Sequence, residues 1–406
     1  MSALARPRLA IVIHRYLPDA GGGAEEHCRR LAHSLRDHVS VDVITTCAAD
    51  HHTWANELPE GVEDHGDGLR TLRFRTKRRK GRLESAILGR LLPRLPHPVA
   101  LEDRWLRALG PDSPALLEFI GANAAIYGAV IFYTYLYGTT VHGVGRAGPR
   151  TLLIPTAHNE PALRLARQKN AIRSAAALAF LTPEEEALVD ERCETQRTPR
   201  LLLGAELSPE SFLSGDAARF RERHGLAAPF LLYVGRVERS KGLGELFSLY
   251  ETHRDRLPLL VLAGKPGPLR VPRGVRSLGF LTEGEKRDAL AAATALVQPS
   301  ARESLSLVLL EAWAQRRPVI VNGRCAPMRG QCERSGGGIA YANDAEFVAA
   351  VDTVRDPGPG RNLGERGCAF TKESYSPGTM AVRLMPFLKQ LGWIAERPVL
   401  STSLQK

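Results

Sequence analysis

Residues 298–313 read Gln298-Pro-Ser-Ala-Arg-Glu303-Ser-Leu-Ser-Leu-Val-Leu-Leu-Glu311-Ala-Trp313. The run that leads into them, Ala295–Gln298, is short and apolar, as a buried strand is. A helix is expected to start near Ser304 or Ser306, either of which can cap it. From Leu305 to Trp313 it is apolar on nearly every face, which marks a buried helix, and Glu311 is the one charge within it. A lone carboxylate there is costly unless something hydrogen-bonds it. Glu311 is therefore either paired structurally or aimed at a ligand hydroxyl. Glu303 sits at the carboxyl end of the strand, the edge at which open parallel sheets bind ligands. The amides of Ser304, Leu305 and Ser306 are expected to leave the helix N-terminus and offer an anion site suited to a diphosphate.

Upstream, Tyr233-Val-Gly235-Arg236-Val-Glu-Arg-Ser-Lys241-Gly242-Leu243 joins another buried strand to another helix. Arg236 and Lys241 project from this one loop. A guanidinium fork and an ammonium point charge together can neutralise a departing diphosphate. Two surface cations in a loop would be the structural alternative.

These two motifs, in this order, resemble glycosyltransferase family 4, whose members have the GT-B fold. The resemblance rests on Gly235-Arg236 with Lys241-Gly242, and on Glu303, seven residues, then Glu311. Leu278-Gly279-Phe280, Gln298-Pro-Ser and Ser335-Gly-Gly-Gly-Ile-Ala-Tyr341 extend it over about residues 228–342. It implies an α/β protein of two Rossmann-like domains facing a cleft, and a retaining, metal-independent transferase fed by a nucleotide-diphosphate sugar. By the same resemblance Arg236 and Lys241 bind the diphosphate, Glu303 the donor sugar, Glu311 the ribose, and the loop at Gly279 and Phe280 borders the base. At Ser306 many family members carry glycine.

The rest of the chain repeats strand and helix. Expected strands are 9–13, 39–45, 69–74, 129–133, 152–155, 177–181 and 201–203, then 230–234, 259–263, 275–278, 295–298 and 319–321. Amphipathic stretches at 24–35, 184–192 and 283–292 lie between them. This alternation predicts parallel sheets covered on both faces. The pattern pauses at 204–215, which divides the chain into 1–205, 206–376 and a C-terminal segment 377–406 expected to cross back to the first domain.

In the first half, Gly21, Gly22 and Gly23 follow the first strand and allow backbone to approach a phosphate or an acceptor. Taking Gly21 and Gly23 as the first two glycines of a dinucleotide fingerprint puts Glu26 at the third position, so the fingerprint fails. His158 and Asn159 sit in a loop at a strand's carboxyl end, and the family places a histidine in the matching loop near the donor sugar. Tyr133, Tyr135 and Tyr137 cluster after a strand, with core packing favoured over an acceptor platform.

The composition, 44% apolar and 24% charged over 406 residues, is that of a globular protein of two domains. No apolar run reaches the ~20 residues of a membrane span. The six cysteines lie at no metal-ligand spacing and are expected reduced. A cytoplasmic location, free or on the membrane's cytosolic face, is expected. The net charge of +11 suits phosphorylated ligands or an anionic membrane better than nucleic acid, for which no motif is present. The basic run Lys77–Arg82, inside an insertion at 75–107, is expected to be a solvated loop, with docking on anionic lipid as its functional alternative. No Asp-x-Asp triplet occurs, which fits transfer without a metal. No cofactor is expected beyond the donor itself; the acceptor is a saccharide, a lipid-linked saccharide or a small molecule. The competing readings are a non-catalytic nucleotide-binding protein of the same fold and a nicotinamide-dependent oxidoreductase.

Overall fold

The computed structural model describes residues 6–17, 22–77 and 79–395. Gly21, Arg78 and the end of the C-terminal segment lie outside them. Eight strands form the first sheet: β1 (Arg8–Val12), β2 (Ser40–Thr46), β3 (Gly61–Asp64), β4 (Leu69–Phe74), β5 (Ala129–Tyr133), β6 (Thr151–Ile154), β7 (Ala177–Phe180) and β8 (Arg200–Leu202). Their order is β3-β4-β2-β1-β5-β6-β7-β8, parallel except for β3 against β4. Six strands form the second: β9 (Phe230–Val234), β10 (Leu259–Ala263), β11 (Arg276–Ser277), β12 (Ala295–Gln298), β13 (Val319–Asn322) and β14 (Gly338–Tyr341). Their order is β11-β10-β9-β12-β13-β14, and each pair is parallel.

The inner strands β1, β5, β9 and β12 are mainly apolar runs because helices cover both faces of the sheets. Leu9, Ile11 and Leu152 of the first sheet and Leu232, Leu309 and Trp313 of the second half belong to one buried cluster. The order of strands reverses between β1 and β5 in the first sheet and between β9 and β12 in the second. A parallel sheet opens a crevice at such a point, outside the carboxyl ends of the strands. Glu303 follows β12 and Lys241 follows β9, so the two quoted motifs flank the reversal of the second sheet.

The helix Thr379–Gln390 lies against the helix Gly23–Leu35 and β8. Met380 donates its amide to Glu206 at 3.0 Å, and Arg383 donates to the Leu203 carbonyl at 3.0 Å.

Several elements differ from expectation. The insertion at 75–107 is not a loop: it holds the helices Arg82–Leu91 and Val99–Leu109. They pack together through buried Ser85 and Trp105, whose indole donates to the Ser85 carbonyl at 3.1 Å. The density of arginine hides this helix from a reading of charge alone. β3 is exposed along its length, so it leaves no apolar signal, and β14 is glycine-led.

Candidate active site

The helix that the first motif opens spans Leu307–Ala314, so Ser306 is the one of the two serines that immediately precedes it. Ser306 is its N-cap, in the left-handed region at φ 77, and neither serine caps it through its side chain. The amides of Leu307 and Val308 also open this N-terminus, beside those of Ser304, Leu305 and Ser306. The Ser304 carbonyl accepts from Thr182 Oγ1 at 3.0 Å, and the Leu305 carbonyl accepts from Gln331 Nε2 at 2.5 Å. The left-handed backbone explains why glycine suits position 306.

Lys241 Nζ donates to Glu303 Oε1 at 2.8 Å. Gly242 makes this possible: its φ is +78, and a Cβ there would collide with the Pro299 carbonyl. Burial raises the Glu303 carboxyl, but the charge and hydrogen bond of Lys241 outweigh it, so Glu303 stays ionised below the usual range. His158 follows β6 and faces this pair from the first sheet. Burial favours its neutral form, yet its Glu160 partner and the Glu303 charge raise it overall. Glu160 Oε1 lies 3.6 Å from His158 Nδ1 and accepts a 2.6 Å hydrogen bond from Tyr135. Asn159 is exposed on the same loop, and Gly22 and Gly23 open the helix Gly23–Leu35 after β1.

Arg236, on the same loop as Lys241, does not meet Glu303 but reaches across to the first half. Its Nη1 donates to His51 Nε2 of the first half at 3.2 Å and lies 3.4 Å from Glu238. Asp50, His51 and His52 have ligand atoms within 4.8 Å of one another, a spacing that could hold a cation. Burial, and after it the charges of His52, Arg236, Arg15 and Lys80, press His51 down to about 4.

Glu311 is buried and paired twice. Arg30 Nη2 donates to its Oε1 at 3.1 Å, and Lys286 Nζ lies 2.8 Å from its Oε2. Arg30 also donates to Glu26 at 2.5 Å and to the Glu206 carbonyl at 3.0 Å. One carboxylate has about four acceptor positions, so both ion pairs leave room for ligand hydroxyls. Phe280 is 62% exposed, with Lys265 over its ring at 5.8 Å, beside Gly279 in the left-handed region. Tyr133 and Tyr135 are core residues, with Tyr133 bonded to His27 at 2.9 Å, while Tyr137 stacks on His14 at 4.0 Å.

Sequence reasoning missed Arg30, Lys286, His51 and Glu185. Glu185 is fully buried and accepts from the amides of Ala157 at 2.6 Å and Leu181 at 2.7 Å, which fixes the His158 loop. A buried Glu three residues after Thr182, the N-cap of its helix, was the available signal. The contacts of Arg30 and Lys286 with Glu311 and of His51 with Arg236 join residues far apart in the sequence and leave no local trace.

Two parallel sheets that turn the carboxyl ends of their strands toward a shared cleft, with a cation pair on the second, define the GT-B class of glycosyltransferase folds. Residues 228–356 match the family described as glycosyl transferases group 1. The whole chain superposes on sucrose-phosphate synthase from Thermosynechococcus elongatus with a TM-score of 0.74 at 20% identity, covering 95% of this chain and 99% of that one. It superposes on Anabaena HepE in complex with UDP and glucose with a TM-score of 0.65 at 15% identity, covering 95% and 100%. Among curated proteins, it is 29% identical over 55% of its length to alpha-D-kanosaminyltransferase of Streptomyces kanamyceticus. It is 32% identical over 40% of its length to D-inositol 3-phosphate glycosyltransferase of Frankia alni. The chain covers 63% of the first relative and 45% of the second, less than two thirds of either.

Proposed function

We propose that the chain is a retaining glycosyltransferase that moves a sugar from a nucleoside diphosphate to an acceptor hydroxyl. On this reading residues 1–205 bind the acceptor and residues 206–376 the donor. The observation that carries it is the Lys241–Glu303 pair at the strand reversal of the second sheet, beneath His158 of the first. The solved HepE complex with UDP and glucose shares this fold, which supports a nucleotide sugar as the donor.

The donor diphosphate lies across Arg236, Lys241 and the amides of Leu307 and Val308. As the bond from the sugar's anomeric carbon to the diphosphate oxygen breaks, negative charge grows on that oxygen, where these groups stabilise it. The acceptor oxygen bonds to the same carbon from the same face, and its proton passes to the departing diphosphate. Glu303 accepts sugar hydroxyls, His158 faces the sugar from the first half, and Glu311 accepts ribose hydroxyls while Arg30 and Lys286 orient it. Closure of the cleft keeps water from the donor. The cationic groups supply what a divalent ion supplies in other transferases, so neither metal nor cofactor has a role in this step.

Thermal stabilisation by a panel of nucleotide sugars, followed by donor-consumption assays, tests the reading. It predicts that one base and sugar stabilise the chain above the rest and are consumed with retained anomeric configuration. Stabilisation without turnover against any acceptor class would favour the non-catalytic alternative. No stabilisation by any nucleotide sugar would sink both.

A further inference from the structure

The sequence from Arg75 to Ala100 contains one acid, Glu84, among eight arginines and lysines. Glu84 is held by Arg104 at 2.6 Å. Within this segment the helix Arg82–Leu91 turns Ser85 inward onto Trp105 and leaves its other face outside. Leu83 is 76% exposed, Ile87 48% and Leu91 46%, and the chain beyond continues with Leu95 at 56% and Val99 at 41%. Leu83, Ile87 and Leu91 are spaced four apart, so they form one stripe along the helix. Exposed Lys77, Arg79, Arg82, Arg90 and Arg94 surround it.

Large apolar side chains in a single exposed row are not what a solvated charge run leaves behind; they mark a surface with a partner. A short helix with an apolar stripe and a basic surround has the pattern of one that lies in a membrane interface. Among the described residues no helix is long and apolar enough to cross a bilayer, so the contact is with a surface.

The segment also reaches the cleft. Lys80 turns inward, donating to the His51 carbonyl at 3.2 Å with its ammonium 5.8 Å from the centre of the Trp54 ring, and His51 in turn meets Arg236 at 3.2 Å. The basic face is thus continuous with the mouth of the proposed donor site.

We propose that the helix Arg82–Leu91 docks the chain on an anionic phospholipid bilayer, with Leu83, Ile87 and Leu91 entering the headgroup layer. The cleft then opens at the membrane surface, where an acceptor carried on a lipid would be presented. This surface goes beyond the transfer reading and stands or falls separately from it.

The test is co-sedimentation of the full chain with vesicles of phosphatidylcholine alone or mixed in equal parts with phosphatidylglycerol, at low and high salt. The chain is expected to bind the mixed vesicles at low salt and to be weakened by salt, because the arginines and lysines are screened. Leu83→Ser with Ile87→Ser leaves every charge in place and is expected to lower vesicle partitioning about tenfold or more. Arg90→Gln with Arg94→Gln is expected to lower it on the mixed vesicles. Both pairs of positions are exposed, so unchanged melting and nucleoside diphosphate binding will show that the fold and the donor site are intact. No binding to the mixed vesicles at low salt overturns the proposal. So does binding that the Leu83 and Ile87 changes leave untouched, or a concentration-dependent dimer that those changes dissolve in the absence of lipid.

Discussion

Glu303 and Glu311 lie eight positions apart on one motif, yet the fold gives them different neighbours. Glu303 meets a single cation, Lys241, at the cleft edge, whereas Glu311 is buried between Arg30 and Lys286. Glu303→Gln is therefore expected to impair transfer while nucleoside diphosphate affinity stays close to normal. Glu311→Gln is expected to weaken the nucleotide itself, because an ionised acceptor for ribose hydroxyls is lost. Titration calorimetry on both variants, beside melting curves without ligand, separates the roles; a Glu311→Gln protein that only melts earlier has lost a structural pair and no ribose contact. A second expectation concerns Ser306, held at φ 77. Ser306→Gly should raise stability by about 1 kcal/mol, since a side chain in the left-handed region costs roughly that much. A lowered melting temperature would mean that the serine hydroxyl contributes more than its backbone costs. The sequence showed Glu303 and Lys241 because strand ends and glycines mark their loops. It could not show that Arg30 reaches Glu311, since that contact joins residues 281 positions apart.

Among the elements, the loop that carries His158 depends on the helix Pro183–Cys193. Thr182 caps that helix and donates to the Ser304 carbonyl, while Glu185 gathers the amides of Ala157 and Leu181. Burial pushes the Glu185 carboxyl up to about 7 in spite of those two amides. Its folded value is above the unfolded one, so its contribution to stability is full below about 4.5 and is lost as pH rises through about 7. Glu185→Gln should accordingly flatten the fall of melting temperature across that window, as read by thermal denaturation at stepped pH. An unchanged slope would contradict the assigned burial. Strands such as β9 and β12 were legible as apolar runs of four or five residues between loops. The helix Arg82–Leu91 was not, because its apolar stripe faces outward and its arginines read as solvent-exposed loop.

At the scale of the molecule, specific polar contacts join the two halves, among them Arg30 to Glu311, Thr182 to Ser304, His51 to Arg236 and Arg334 to Glu184. Arg30 also holds Glu206, which accepts the amide of Met380 at the start of the returning helix. Arg30→Met removes one partner of a buried carboxylate and should destabilise the chain by roughly 3 kcal/mol, measured by denaturant unfolding. A loss within about 0.5 kcal/mol would show that Lys286 alone suffices for Glu311. The whole-molecule architecture was readable from alternating elements, but which residues cross between the halves depends on how the sheets face each other, and no local pattern encodes that.

The proposed function has the carboxyl edge of the second sheet hold a nucleoside diphosphate through Arg236 and Lys241. Its most direct test is calorimetric titration of UDP and GDP, in excess chelator, into the wild-type chain, Arg236→Ala and Lys241→Ala. One nucleotide should bind the wild type at one site per chain without a divalent ion. Each variant should bind it at least about tenfold more weakly, in line with the loss of a charge-assisted contact, while melting as the wild type does. Failure of every nucleoside diphosphate to bind, binding only after metal is restored, or equal affinity in all three proteins would rule out this metal-free diphosphate site.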